Sequence, residues 1–255
     1  MTGDFNGDGR TDIAGRVPST GAWRVALSTG SAFTLTTFAT WSTADTWTAA
    51  LAGDFDGDGK TDIAGRRSSD GSWFVSRSTG TGVTTTRWGA FSSIVNWQFL
   101  MTGDFNGDGR TDIAGRAPST GAWRIAQSTG SAFTLTTFAT WSTADTWTAT
   151  LAGDFDGDGK TDIAGRRSSD GSWFVSQSTG TGVTTTRWGA FVTGTAWQFL
   201  TVGDFNGDGK SDIAGRAATN GVWRIAQSTG SAFNLVTYTT WSTAKTWTDA
   251  VAVRA

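Results

Sequence analysis

Asp4-Phe5-Asn6-Gly7-Asp8-Gly9-Arg10-Thr11-Asp12 opens a phrase that this chain writes five times, beginning again at Asp54, Asp104, Asp154 and Asp204. A phrase that returns at a fixed interval of fifty residues marks a repeat architecture. The 255 residues make five such units with five residues over. Positions 1–100 and 101–200 differ at ten places, including Val17/Ala117, Leu27/Gln127 and the stretch 92–96 against 192–196. The fifth unit follows the odd pattern, so the larger period is an alternating pair of units.

Each unit reads as four short strands. The first is small and apolar, as in Ala50-Leu51-Ala52-Gly53-Asp54-Phe55, and the acidic phrase follows it. The second is Asp12-Ile13-Ala14-Gly15-Arg16, and the third is Ala22-Trp23-Arg24-Val25-Ala26. The fourth starts at Phe33 and runs toward Trp41. Gly and Asp at Pro18-Ser19-Thr20-Gly21 and Ser68-Ser69-Asp70-Gly71 supply turn conformations between them. Alternation, abundant Thr, Val, Phe and Trp, and turn signals every ten residues or so favour antiparallel β structure.

Four strands per fifty residues fit a propeller blade. The expected fold is therefore all-β, a β-propeller of five four-stranded antiparallel blades of about 50 residues each. The blades fall at about 1–50, 51–100, 101–150, 151–200 and 201–250 of a single repeat domain, 1–255. A linear β-solenoid is the rival, but its coils are usually shorter. Residues 246–255 align with 46–55, which places a sixth first strand at 247–255. That strand is expected to complete the first blade, closing one chain or linking chains into a strand-swapped homo-oligomer.

Composition narrows the function. There is no Cys and no His, and every acidic residue is Asp. Without His, Cys or Glu the usual acids, bases and nucleophiles are missing, so an enzyme is not expected. No apolar run approaches the roughly 20 residues of a membrane span. Each odd loop holds three Asp and each even loop four, leaving five elsewhere. One divalent ion per loop would turn the formal charge of −2 into about +8. The basic residues are nevertheless scattered singly, without the patch that nucleic acid requires. Met1 falls in the middle of a repeat and no signal peptide is visible, which suits a segment of a larger precursor whose export signal lies outside it.

Oxygen-bearing side chains at alternate positions, with glycine at the sixth, make a calcium loop. In the first loop Asp4, Asn6, Asp8 and Asp12 offer side-chain oxygens and Arg10 its carbonyl. The same set recurs as Asp54, Asp56, Asp58, Lys60 and Asp62, and as Asp104, Asn106, Asp108, Arg110 and Asp112. It recurs again as Asp154, Asp156, Asp158, Lys160 and Asp162, and as Asp204, Asn206, Asp208, Lys210 and Asp212. No soft ligand for zinc or copper is present. The twelfth position is Gly15, where an EF-hand needs a bidentate Glu, so each site is expected in the weak range of about 10⁻⁴–10⁻³ M. The bland alternative is an Asp/Gly-rich turn without metal. Five clusters of repelling carboxylates argue against it. Calcium, about one ion per repeat and structural in role, is the expected cofactor.

Gly3-Asp4-Phe5-Asn6-Gly7-Asp8-Gly9 followed by Asp12-Ile13-Ala14-Gly15 resembles the FG-GAP (VCBS-type) repeat. That repeat is known from the calcium-binding β-propeller of integrin α chains and from bacterial surface proteins. Gly21-Ala22-Trp23-Arg24-Val25 with Ser28-Thr29-Gly30 is similar to blades of the Psathyrella-type fungal propeller lectins. Those relatives generally have seven blades, and this chain offers five. The resemblance implies calcium at the loops opening at Asp4, Asp54, Asp104, Asp154 and Asp204, on one rim.

The 15 Trp are three per unit. Phe38 and Trp41 of the first unit become Trp88 and Phe91 in the second, a volume-conserving exchange that suits a packed core. Trp23 and its repeats lie inside a strand and are expected in the core. Trp47, Trp97, Trp147, Trp197 and Trp247 lie in the link into the next first strand, where inter-blade pockets can form. Arg16, Arg66, Arg116, Arg166 and Arg216 recur with them, either stacked on Trp as cation–π pairs or bonding ligand hydroxyls. The expected function is a secreted or cell-surface propeller that binds glycans multivalently. An integrin-like adhesion module for a cell-surface protein, or a ligand-free repeat scaffold, are the alternatives.

Overall fold

The computed structural model describes residues 1–79, 82–180 and 182–248. They form five four-stranded antiparallel sheets whose strands follow chain order, and no helix. Sheet one holds Thr2–Gly3, Asp12–Arg16, Ala22–Ser28 and Phe33–Thr40. Sheet two holds Trp47–Gly53, Asp62–Arg67, Ser72–Ser78 and Val83–Ala90, and sheet three Gln98–Gly103, Asp112–Arg116, Ala122–Ser128 and Phe133–Thr140. Sheet four is Trp147–Gly153, Asp162–Arg167, Ser172–Ser178 and Val183–Ala190. Sheet five is Trp197–Gly203, Asp212–Ala217, Val222–Ser228 and Phe233–Thr240. The expected first strand ran to Phe55, but the strand ends at Gly53 and leaves Asp54 and Phe55 to the loop. Among the described residues no helix is long and apolar enough to cross a membrane.

Sheet one forms its first strand from its own residues. Thr2 pairs with Ile13, and the Ala14 amide donates to the Met1 carbonyl at 2.9 Å. The segment expected to complete this blade, 247–255, lies outside the described residues from position 249 onward.

The chain divides into two compact units, Met1–Asp104 with Asp108–Phe138, and Phe105–Gly107 with Ala139–Ala255. Within the first unit, the trailing face of each sheet packs on the leading face of the next, and the alternating sequence gives two kinds of junction. From sheet one to sheet two, the buried Trp41 donates from Nε1 to Ser76 Oγ at 2.9 Å. From sheet two to sheet three, Phe91 takes the place of Trp41 and Ala126 that of Ser76, so the donor and the acceptor of that bond are replaced together by apolar groups. Phe133 fills this second junction edge-on against Trp88 at 5.2 Å and Phe55 at 5.8 Å. The second unit repeats both chemistries, with Trp141 Nε1 donating to Ser176 Oγ and Phe233 set against Trp188 and Phe155. The Phe/Trp exchange is thus a core exchange, and each fully buried ring of this kind contributes ~2–3 kcal/mol.

Glycine is required where Trp crosses a strand. A Cβ on Gly65 would sit 2.4 Å from the Trp41 ring. Phe99 and Phe199 hold φ of 53° and 54°, a region most L-residues avoid, in the first strands of sheets three and five.

Candidate metal loops and an inter-sheet pocket

Each acidic loop joins the first and second strands of its sheet. Gly7 and Gly9, at φ 77° and 80°, turn the chain tightly enough for Asp4 to accept three backbone amides. Oδ1 takes those of Gly7 and Asp8 and Oδ2 that of Gly9, at 2.7–3.1 Å. The last aspartate of the phrase is buried in every repeat. Asp62 Oδ1 accepts the Ser78 amide at 2.7 Å and Oδ2 the Phe55 amide at 3.1 Å. The loop's two ends and the third strand are thereby tied to one carboxylate.

The loops are also stitched from sheet to sheet. The Thr61 amide donates to the Asp4 carbonyl and the Ser78 hydroxyl to the Phe5 carbonyl, at 2.6 Å each. Thr111 and Ser128 repeat this toward Asp54 and Phe55.

Of the expected ligands, the structure brings together Asp54, Asp56 and Asp62, with one carboxylate oxygen of each within 4.8 Å of the others, and likewise Asp154, Asp156 and Asp162. In the odd loops Asn6, Asn106 and Asn206 stand where these carry a third carboxylate. Asp58 is not in the triad. Its Oδ2 accepts Lys60 Nζ at 2.8 Å and its Oδ1 the Lys60 amide. The same neighbour pair recurs as Asp8–Arg10, Asp108–Arg110, Asp158–Lys160 and Asp208–Lys210. Residues proposed for their carbonyls thus contribute a charged side chain as well, which counting oxygens along the phrase does not reveal.

The two triads could hold a cation. Burial, with Asp56 and Asp54 nearby, pushes Asp62 up to about 7, and Asp162 likewise. Burial and then Asp58 raise Asp56. Asp56 Oδ1 is buried and makes no hydrogen bond. A hard divalent ion that accepts several oxygens would satisfy this atom and neutralise the cluster. The donor set therefore fits calcium.

The recurrent Trp and Arg also meet. Arg66 is buried, donating from one terminal nitrogen to Thr48 Oγ1 at 3.0 Å and from the other to the Ser92 carbonyl at 2.8 Å. Trp97 Nε1 donates to that same carbonyl at 3.0 Å. Beside them lies a cleft of about 300 Å³, lined by Trp97, Arg66, Thr48 and Ser68 with the rim residues Ile94 and Asn96. Trp47 packs on Trp41 at 4.5 Å and Trp147 on Trp141 at 4.4 Å, while Trp197 packs on Phe191 at 4.4 Å. Arg166 repeats the bond to Thr148 Oγ1, and Arg116 and Arg216 bond Gln98 and Gln198 instead. Arg16 Nε is buried without a hydrogen bond.

The acidic phrase and the strands after it match the FG-GAP-like repeat over residues 4–65, 54–115, 104–165 and 154–215. The chain belongs to the FG-GAP-like repeat family. No curated protein matches it in sequence. Its fold is similar to that of a lectin from Agrocybe aegerita that recognises non-reducing terminal N-acetylglucosamine, with a TM-score of 0.72 at 19% identity. The match covers 92% of this chain and 64% of the lectin, so the chain spans just under two thirds of the lectin's length. It is also similar to BBS1N, solved in complex with ARL6DN, at TM-score 0.54 and 10% identity, covering 92% of this chain and 66% of that one. The dihydro-heme d1 dehydrogenase NirN gives 0.53 at 10% identity, covering 93% and 48%. At such identities these likenesses establish the β-propeller fold, and a fold carries no chemistry with it.

Proposed function

We infer that this FG-GAP-like chain is a non-enzymatic, calcium-stabilised binding module for carbohydrate, working at a cell surface or in secretion as one repeat domain. The observation that carries the reading is the Trp97–Arg66 cleft. An indole beside fixed polar groups suits a sugar ring, which stacks its C–H face and hydrogen-bonds its hydroxyls. Five of the ten differences between the two halves of the chain fall at 92–96, and four of these, 93–96, line this cleft, while Trp97/Trp197 and Arg66/Arg166 do not change. A constant base with a variable rim is how a repeated site diversifies its ligands. The likeness to a lectin for terminal N-acetylglucosamine supports the same class of ligand. Trp and Arg recur in each repeat, so several weak sites gain avidity together.

Calcium would be held by Asp54, Asp56 and Asp62 and by their counterparts in the other repeats. Its part is structural, pinning the turn between the first two strands. The test is a glycan array probed in calcium, followed by calorimetry on the selected sugar. Binding that Trp97→Ala weakens at least several-fold supports the reading, and silence on every glycan removes it. A protein ligand is the second reading, favoured by Ile94, which is 94% exposed on the rim; array silence with retained cell adhesion would select it.

A further inference from the structure

We propose that the leading face of sheet one docks the trailing face of sheet five of a second copy of this chain. Ile13 is 49% exposed, whereas Ile63, Ile113, Ile163 and Ile213 at the same place in later sheets are fully buried. Phe33 is 56% exposed, while Phe133 and Phe233 pack on Trp88 and Trp188 of the sheet before. At the other end, Tyr238 is 46% and Trp247 38% exposed. Both surfaces belong to an interface the chain already makes, trailing face on leading face, as between sheets one and two and between sheets four and five.

The trailing face of sheet five is altered in a way that selects its partner. Asp45 and Asp145 lie 3.9 Å from Arg67 and Arg167 of the following even sheets. Position 245 is Lys, which would repel such an arginine. Odd sheets carry no charge at that place, having Val17, Ala117 and Ala217. Among the described residues, the uncovered leading face is that of sheet one, an odd sheet. Tyr238 stands where sheets one and three have Phe38 and Phe138. Its hydroxyl donates to the Phe205 carbonyl at 3.1 Å, the bond that Ser78 gives Phe5 from the next sheet. Sheet five thus satisfies that carbonyl without a neighbour, and a second lone pair remains for Ser28 of the docked copy. Ala26 offers no hydroxyl to Trp241, unlike Ser76 to Trp41, so this junction is weaker than the internal ones and comes apart on dilution. A head-to-tail contact of this kind closes into a ring or runs on as a filament.

The cysteine-free chain allows a direct test. A Cβ placed on Gly89 lies 3.3 Å from Phe133 Cβ across the internal junction, so positions 239 and 33 face each other across the proposed one. Sedimentation velocity of the wild type should show mass rising with concentration, and Ile13→Lys should weaken association at least ten-fold while its circular dichroism is unchanged. In Phe33→Cys/Thr239→Cys, disulfides should join separate chains at least ten-fold faster than in the control pair Ile94→Cys/Thr239→Cys. A monomer at every concentration, a 33–239 disulfide closed within one chain, or association indifferent to Ile13→Lys would each overturn the proposal.

Discussion

Arg77 Nη1 lies 3.5 Å from Asp56 Oδ2, whereas at the matching place in the fourth repeat Gln177 Nε2 donates to Asp156 Oδ2 at 2.8 Å. The two loops are otherwise identical in sequence, so the chain contains its own charge comparison. A tethered guanidinium beside one carboxylate of a triad competes with a divalent cation for the same charge. For a partly exposed pair the effect is about 0.5–1 kcal/mol, or a ~2–5-fold difference in affinity. Arg77→Gln should strengthen calcium binding at the second loop by that factor, and Gln177→Arg should weaken it at the fourth. Calorimetric titration of each variant, with the other triad disabled, reads the difference directly.

Metal-free protein should lose stability as pH rises from about 4 to about 7. Asp62 and Asp162 are pushed up to about 7 by burial, above the ordinary carboxylate value of 3.8, so the folded state keeps these protons after the unfolded chain has released them. The stabilisation is complete below the unfolded value and disappears as pH passes the folded one, with an upper bound of about 4 kcal/mol per aspartate. Saturating calcium binds the ionised form and should flatten or reverse the slope above pH 5. Melting curves at several pH values, with chelator and with calcium, decide it. Parallel curves in the two conditions would remove the metal from the account.

Local pattern made most of this fold legible. The repeated phrase located each loop, and alternation with glycine turns located the strands, since both signals sit within ten residues of the structure they specify. The volume exchange between Phe38/Trp41 and Trp88/Phe91 marked the core for the same reason. Three features were not legible. The pairing of Asp58 with Lys60 depends on turn geometry that residue types alone leave open. The bond from Ser78 to the Phe5 carbonyl spans 73 residues, and a lone serine carries no mark of its partner. Tyr238 was visible as a replacement of Phe, but its meaning required knowing which carbonyl lost its serine. The cleft by Trp97 was half legible: Trp and Arg recurred together, while their meeting at the Ser92 carbonyl came only with the structure.

Arg66 should prove structural before it proves a ligand contact. Its guanidinium clamps Thr48 and the Ser92 carbonyl, fixing the link into sheet three. Arg66→Met keeps much of the volume but removes both charge-assisted bonds, each worth ~1.5–3 kcal/mol. The melting temperature should fall by several degrees or more, and calorimetric unfolding checks it. Trp97→Ala, by contrast, removes the proposed sugar platform while leaving these two bonds in place, so its binding loss should exceed what its stability loss explains.

Gly65 and Gly15 occupy the same place in Asp-Ile-Ala-Gly-Arg, but their surroundings differ. A Cβ on Gly65 would meet the Trp41 ring at 2.4 Å, and one on Gly15 meets nothing within 4 Å. Gly65→Ala should therefore destabilise by about 1–3 kcal/mol, the usual consequence of forcing a methyl into a packed core. Gly15→Ala should leave the isolated chain unchanged or slightly stabilised, since the unfolded state loses freedom and no clash opposes it. Docking of a second copy would bring Trp241 over Gly15 as Trp41 lies over Gly65, so the same methyl should weaken self-association. Denaturant melts of both variants in dilute protein, alongside sedimentation of Gly15→Ala at high concentration, separate the two effects. A Gly15→Ala chain that melts like Gly65→Ala when monomeric would mean that its leading face is already covered.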